Sequence, residues 1–454
     1  MLKEFVAWIK GVINKMFNKS DLAILNKSIN ISNEMIDRIE KWSAMLKGEA
    51  EWINEDVKSL RIESAICQEF ANVVTSEMSI NVSNDKMNED IKKALRNLNE
   101  NLQTGLGLGS FILRSLGEDK VEYLSPDKFI PIKFDANGNL VDVYIIDVRK
   151  VSDDNYFYRF ERHSLTASGL TITNQAFKGT KTKIGTSVAL SVIDDWSKLT
   201  ESITYPTMKN MDLGFYRNPI KNEVDNSFMG VSIFDKAIEL IKKSDIQYGR
   251  LDWEYESAER AIHVDDVALK LTGESSQGKT YGLPKGSKRL YRGLNLSTSS
   301  GELMKEYSPT LRDDAFIRGE NEYFRRIEFV VSLSYGDLSN VEYVEKSATE
   351  VKTAKQKKYN MVNAIEKNLE VCLRDFIIGY TFYNGSYTKA HEVTISFKDS
   401  ILTNEEQERA QDLIDVNAGI MQKYEYRMKW YGEDEATAKS KIEKEQQGLD
   451  GQYS

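Results

Sequence analysis

A chain of 454 residues with 41% hydrophobic and 10% aromatic content is long enough to bury a core across roughly two to four domains and too apolar for intrinsic disorder. Its 61 basic and 70 acidic side chains leave a formal net charge of −9, which excludes tight, sequence-reading DNA binding, since that needs Lys and Arg clustered against phosphates. No apolar run reaches the ~18 residues of a membrane span. Cys67 and Cys372 each fall in an apolar helical pattern, as buried thiols of a reducing cytosol do.

Met1 to Phe17 carries Leu2, Phe5, Val6, Ile9, Val12 and Ile13 on one helical side, the pattern of a helix docked on its own protein. A helix lying on a membrane surface is the alternative; the uninterrupted apolar core and cleavage site of a secretory signal are missing. Helical patterns fill residues 20–102, strongest from Asn54 to Ser79, where Val57, Leu60, Ile62, Ala65, Ile66, Phe70, Val73, Val74 and Met78 are apolar among polar residues. Gly105, Gly107 and Gly109 then lead into Phe111-Ile112-Leu113, as small residues allowing close backbone approach at the start of a strand. Extended runs at 120–124, 129–134, 140–148, 156–162 and 170–173 predict an antiparallel β layer, with Asn137-Gly138 as the signal of a two-residue hairpin turn or of a longer loop. Residues 180–205 are rich in Ser and Thr, and Ser187 to Asp194 is expected to add one strand.

The stretch Gly230 to Tyr380 organises the rest. Ser232, with Asp235 three residues on, is a capping-box variant. It opens a helix from Ile233 to about Glu259, with Ile233, Ala237, Leu240, Ile241, Tyr248, Leu251 and Tyr255 near a 3.6 period, a rod of roughly 40 Å. Asp265 to Pro309 is thick with Gly, Ser and Lys and breaks regular helix. A second helix, Asp313 to Ser334, is expected to run back beside the first and to end in the turn-rich Tyr335-Gly336-Asp337-Leu338-Ser339-Asn340. A third starts near Ala348 with Val351, Ala354, Val362, Ile365, Leu369, Leu373, Phe376 and Ile377 on one stripe. His391 to Phe397 alternates like a strand. Thr403 with Glu406 caps a helix that carries Leu413, Ile414 and Ile420, and a charged helix runs from about Asp434 to Gln447.

Candidate chemistry is sparse. Gly273-Glu274-Ser275-Ser276-Gln277-Gly278-Lys279-Thr280 matches the phosphate-cradling P-loop as text. The following Tyr281-Gly282-Leu283-Pro284 cannot sustain the helix that the phosphates require, so a flexible Gly/Ser loop is the better reading. A P-loop nucleotide hydrolase is kept as an alternative, as is a peripheral membrane scaffold built on the N-terminal helix. His163, His263 and His391 stand far apart without companions at ligand spacing. No catalytic residue, metal or cofactor is expected, and the chain is not read as an enzyme. Two basic sets stand out. Lys352, Lys355, Lys357 and Lys358 open the third helix, where cations oppose the helix dipole, and read as a solvated or inter-subunit ion-pairing face or as a positive ring near a channel. Lys279, Lys285, Lys288, Arg289 and Arg292 lie in the Gly/Ser/Lys segment and read as a soluble surface or as contacts to an acidic partner or DNA.

Two rods joined at one end by a compact module, and at the other by a short loop into a longer helix, form an uncommon plan. With Arg217-Asn218-Pro219 and Asn222-Glu223, Gly230-Val231-Ser232-Ile233-Phe234, and Lys346-Ser347-Ala348-Thr349-Glu350-Val351 in this order and spacing, the chain resembles the portal proteins of tailed bacteriophages, of the type found in phages of Gram-positive hosts. The likeness covers roughly Met45 to Gln447. It implies an α+β, mainly α portal fold: wing 1–230, stem helix 231–264, clip 265–312, stem helix 313–335, tunnel loop 336–347, spine helix and wing strand 348–400, and crown helices with a tail 401–454. The implied function is a homododecameric ring at one capsid vertex, a channel for packaging and ejecting double-stranded DNA. Partners would be the terminase large subunit, a head-tail connector adaptor, and the major capsid and scaffolding proteins, with no membrane. The protein would be made in the bacterial cytoplasm and reside in the virion. The tunnel-loop residues Asp337, Ser339, Asn340, Glu342, Glu345 and Lys346 would project into the channel and meet the DNA backbone without reading bases.

Overall fold

The computed structural model describes residues 31–76, 78–117, 120–152, 155–180, 183–265, 270–275, 278–282, 291–294, 304–340, 348–387, 392–397 and 405–450. It is a mixed α+β structure, 46% helical and 26% strand. Helix α1 (Asn33–Leu46) starts where the Ser32 hydroxyl accepts the Met35 N–H at 3.0 Å, and it buries Met35, Ile36, Ile39, Trp42 and Met45. Helix α2 (Ile62–Ser76) covers only part of the Asn54–Ser79 pattern. Upstream, the Asn54 side chain closes a turn on the Asp56 and Val57 N–H groups, Asp245 takes the Leu60 N–H, and Arg61 has φ +59°. Those donors are diverted before a helix can use them.

Downstream, β1 (Met78–Val82) pairs antiparallel with β16 (Val393–Phe397). The helical pattern read across residues 20–102 is therefore interrupted by a strand whose buried Ile80 and Val82 alternate with exposed residues. Helices α3 (Asp85–Ala94) and α4 (Leu98–Leu108) follow. The glycines expected to open a strand instead form the last turn of α4. A Cβ on Gly105 would lie 2.3 Å from the Phe111 ring. Gly109, at φ +90°, ends the helix with the Gly230 carbonyl where its Cβ would be.

Two sheets follow, the smaller of which packs on α4. One has the order β10 (Leu213–Arg217), β2 (Ser110–Gly117), β3 (Lys120–Leu124). The larger runs β4 (Phe129–Phe134), β5 (Leu140–Ser152), β6 (Asn155–Thr166), β7 (Gly169–Thr180), β8 (Lys183–Val188), with β9 (Ser202–Tyr205) also on β7. The β4–β5 turn is longer than the two-residue form: the Asp135 carboxylate gathers the Asn137 and Asn139 N–H groups, with Gly138 at φ +82°. The strand expected from Ser187 to Asp194 is absent beyond Val188. The chain there coils into 3-10 turns that bury Leu190 and Trp196, and the Trp196 indole N–H reaches Asp147 at 3.0 Å.

Helix α5 (Ile238–Ser257) starts five residues later than expected, behind a 3-10 turn. Asp235 does not cap it, because its carboxylate holds the Trp42 indole N–H at 2.9 Å and Arg38 at 3.2 Å. Helix α6 (Asp313–Val331) returns antiparallel to α5, Ser244 facing Glu320 and Glu254 facing Arg312. Between them lies a small β module in which β11 (Ala261–Asp265) is flanked by β14 (Tyr291–Leu294) and β15 (Met304–Tyr307), beside the hairpin β12 (Lys270–Ser275) and β13 (Gly278–Gly282). Helix α7 (Ala348–Tyr383) is 36 residues long, roughly 54 Å. It lays Val362, Ile365, Leu369, Cys372, Leu373, Phe376, Ile377 and Tyr380 across β10 and β2, all buried. In α8 (Glu405–Asn417) and the turn behind it, Leu413, Ile414 and Ile420 are exposed, so they add nothing to the core. A further helix, α9 (Lys423–Tyr431), which the pattern did not separate, begins at a Gln422–Glu425 capping box and leads to α10 (Glu435–Asp450). Thr403 lies outside the described residues, as does Met1 to Phe17.

Candidate functional site

The α5–α6 pair is held by a polar seam. Glu254 accepts from the Arg312 backbone N–H, Nε and Nη2 at 3.1, 3.1 and 2.6 Å. Its charge is favoured, chiefly by the Arg312 hydrogen bond, so its pKa sits below the usual carboxylate value. Outside the seam, Trp253 and Phe329 are 67% and 71% exposed.

At the end of α6 the chain is tied down by one carboxylate. Ser332 takes a left-handed conformation (φ +66°) and the Leu333 N–H closes on the Glu328 carbonyl. The buried Glu328 side chain then accepts from Gly336 N–H at 3.1 Å, Leu338 N–H at 2.7 Å, Ser339 N–H at 2.7 Å and the Ser339 hydroxyl at 2.8 Å. Successive backbone donors curled around an anion form a nest, here filled by the protein's own side chain. Asn321, about two turns earlier, grips the Asn340 N–H at 2.6 Å and its carbonyl at 3.3 Å. Asp337 accepts from the Ser334 N–H at 2.8 Å and pairs with Lys358 at 2.9 Å.

This geometry reassigns several expected contact residues. Asp337 and Ser339 are spent inside the chain, fixing the root of the connection from α6 to α7, and are not free to meet DNA. Asn340 has its backbone held in the same way. Glu342, Glu345 and Lys346 lie outside the described residues. In the basic set on α7, Lys358 is 7% exposed and bridges Glu69 of α2 (2.6 Å) and Asp337. Burial works against its charge, but the hydrogen bonds of Glu69 and Asp337 hold it above the ordinary lysine value. Lys357 donates to the Phe329 carbonyl and lies 3.8 Å from the centre of its ring, with burial lowering its pKa. Among the lysines of this set whose side chains are described, Lys355 alone is exposed; Lys352 belongs to the same helix.

In the β module, Gly273 to Ser275 lie in β12 and Gly278 to Thr280 in β13, with Lys279 opposite Glu274. A hairpin stands where phosphate binding needs a strand followed by a helix N-terminus, so the P-loop reading fails on backbone geometry. Arg292 sits in β14 opposite His263; Lys285, Lys288 and Arg289 lie outside the described residues.

The densest ionic cluster was not singled out from the sequence. His163, 1% exposed, places Nδ1 2.9 Å from Asp212 and Nε2 3.1 Å from Glu161. Burial opposes its charge, but the two carboxylates win and push its pKa up to about 9. Tyr383 donates to Asp212 at 2.6 Å, while Arg114 (2.9 Å) and Arg159 (3.1 Å) complete Glu161. Arg159, Glu161 and His163 share one face of β6 at two-residue spacing, which is the signal that could have revealed them. With His163, Asp212 and Arg114 buried and each charge facing one of the other sign, the cluster is a clamp joining β2, β6 and α7.

His263 stacks on Tyr307 at 5.6 Å, and His391 lies outside the described residues. Among the described residues no group of three or more His, Cys, Asp or Glu is arranged to hold a metal ion, and no helix is long and apolar enough to cross a membrane. A cavity of about 450 Å³ between the β4–β5 turn, residues 209–217 and α7 presents Lys209, Arg217 and Asp375 but no hydroxyl, thiol or imidazole. No protein-family model matches the chain, and a search of curated proteins returns no match.

Proposed function

We propose that the chain is a subunit of a portal-type ring, which gives double-stranded DNA a passage through a phage capsid vertex. The observation that carries this reading is the order of parts. An α/β body leads into α5, then the β module, then antiparallel α6, then a short anchored turn, and then the 36-residue α7 returning beneath the sheets. A helix pair that exposes Trp253, Tyr255 and Phe329 while closing its inner seam with the Arg312–Glu254 ion pair and the Ser244–Glu320 hydrogen bond gains from being covered by a neighbour. Identical neighbours related by a closing rotation make a ring. In this reading α5 and α6 line the bore, the β module offers a docking surface to the packaging motor and later to a connector, and α8 to α10 crown the ring on the capsid side.

Passage without grip follows from the charge. With −9 per chain, the ring repels phosphates on average, and local contacts act only within about 8 Å at physiological salt. Glu328 and Lys358 have a mechanical role, since they set where the α6–α7 connection leaves the rod. Particle images of the purified protein test the proposal: closed rings with a central hole, twelve copies in the virion, are expected. Solitary copies in both the purified protein and its source particle would overturn it.

A further inference from the structure

Where α5 and α6 meet the start of α2, three carboxyl groups are buried together. Glu63, Asp245 and Glu320 are 1%, 2% and 7% exposed. Asp245 is the charged neighbour felt by both glutamates. Its own oxygens are provided for, one by the Trp52 indole N–H at 2.8 Å and the other by the Leu60 N–H at 2.9 Å. Each glutamate is served only in part, Glu63 by its own backbone N–H and Glu320 by Ser244. Glu63 Oε1 and Glu320 Oε2 are sealed from solvent with no hydrogen-bond partner, and the Ser244 hydroxyl serves only the other oxygen of Glu320.

The surrounding groups do not balance three negative charges. Asp245 lies on α5, beside Ser244. Around Glu63 there are Arg61, which favours its charge weakly, and the buried thiol of Cys67 one turn on. Lys41 and Lys242 sit over the Trp52 ring at 5.8 Å and pair with none of the three. Among the described residues no cation lies within ion-pair range of Glu63, Asp245 or Glu320. An unpaired carboxylate buried in this way is far more costly than the neutral acid, whose proton removes the charge and lets Glu320 and Ser244 donate in either direction.

We propose that this junction is a proton-operated latch: Glu63 and Glu320 each hold a proton while α5 and α6 are seated against α2, and losing those protons loosens the seat. The working range is set by burial, which pushes both glutamates up to about 7 from an ordinary 4.5. The folded chain keeps protons that the unfolded chain has released, so stability falls as pH rises from about 4.5 to about 7 and stays low above. Because the rods carry the β module at their far end, a looser seat frees that module to tilt. The latch lies within one chain and does not depend on ring assembly.

Hydrogen exchange of the full-length protein near pH 5 and near pH 7, inside the range of the glutamates and largely below that of His163 in the reference sheet, tests it after correction for intrinsic rates. Protection in α5, α6 and the first turn of α2 should fall roughly tenfold or more relative to β5–β7, and a Glu63→Gln/Glu320→Gln double variant should hold its protection at both pH values. Infrared spectra of an Asp375→Asn variant, which removes the other buried carboxyl raised to about 6, give a second readout independent of whether the double variant folds: a protonated-carboxyl band near pH 6 that is gone near pH 9. Equal relative protection at the two pH values, or no such band near pH 6, would overturn the latch.

Discussion

Two buried polar clusters in this molecule are built on opposite terms. Around His163 every charge has a partner of the other sign: Asp212, Glu161, Arg114 and Arg159 close the set, and Tyr383 supplies the last donor. At the root of the α5–α6 pair, Glu63, Asp245 and Glu320 share one sign and leave two oxygens unmatched. The first arrangement rigidifies, because removing any member strands the rest in a low-dielectric interior. The second makes stability conditional, because its members can be accommodated only by changing their protonation. The body of the protein is thus locked at the place where its sheets meet α7, while the rods hang from a joint that a change in pH can reach.

The comparison is broken most severely by Asp212→Ala, which leaves the His163 imidazolium and the Tyr383 hydroxyl without their acceptor. Unfolding free energy from denaturant titration should drop by about 3–5 kcal/mol. The two clusters also separate along the pH axis. The folded pKa of His163 is raised, so its contribution is complete below about 6.5 and is lost as pH rises through about 9. A thermal-stability profile should therefore descend again at alkaline pH, above the window of the glutamates, and His163→Gln should remove that upper descent while leaving the lower one.

The anchored turn offers a third, intermediate test. Glu328→Ala strands the Gly336, Leu338 and Ser339 N–H groups, a loss of about 2–3 kcal/mol after partial rehydration, with hydrogen exchange rising first at residues 334–340. Lys355→Ala, on an exposed stretch of the same helix that carries buried Lys358, should change stability by less than about 0.5 kcal/mol. A large loss from Lys355 would mean that the two lysines had been assigned to the wrong environments.

Much of the architecture was legible before any coordinates. The runs at 120–124 and 129–134 coincide with β3 and β4, and those at 140–148, 156–162 and 170–173 fall within β5, β6 and β7, because alternation with period two is a local property of strands facing a core. The stripe from Val362 to Ile377 likewise falls on the buried face of α7. Candidate site residues fared differently. Asp337 and Lys358 looked like free surface charges, yet each is committed to a partner 21 positions away. Glu328 drew no notice at all, since nothing in its neighbourhood reveals that a turn eight residues later will fold back onto it.

The order of rod, helix-free module, rod and long helix could be derived from the chain itself, since it rests on local periodicity, helix-breaking composition and element length; that the module is built of strands could not. Tertiary structure alone decided which charges are spent inside the protein. Ionic and hydrogen-bond partners are chosen by distances of a few ångströms between segments far apart in sequence, and the free energy of a buried charge depends on that company far more than on its own identity. The glutamates at 63 and 320 are ordinary acids as letters, and become a proton-dependent joint only where two rods and a helix start enclose them.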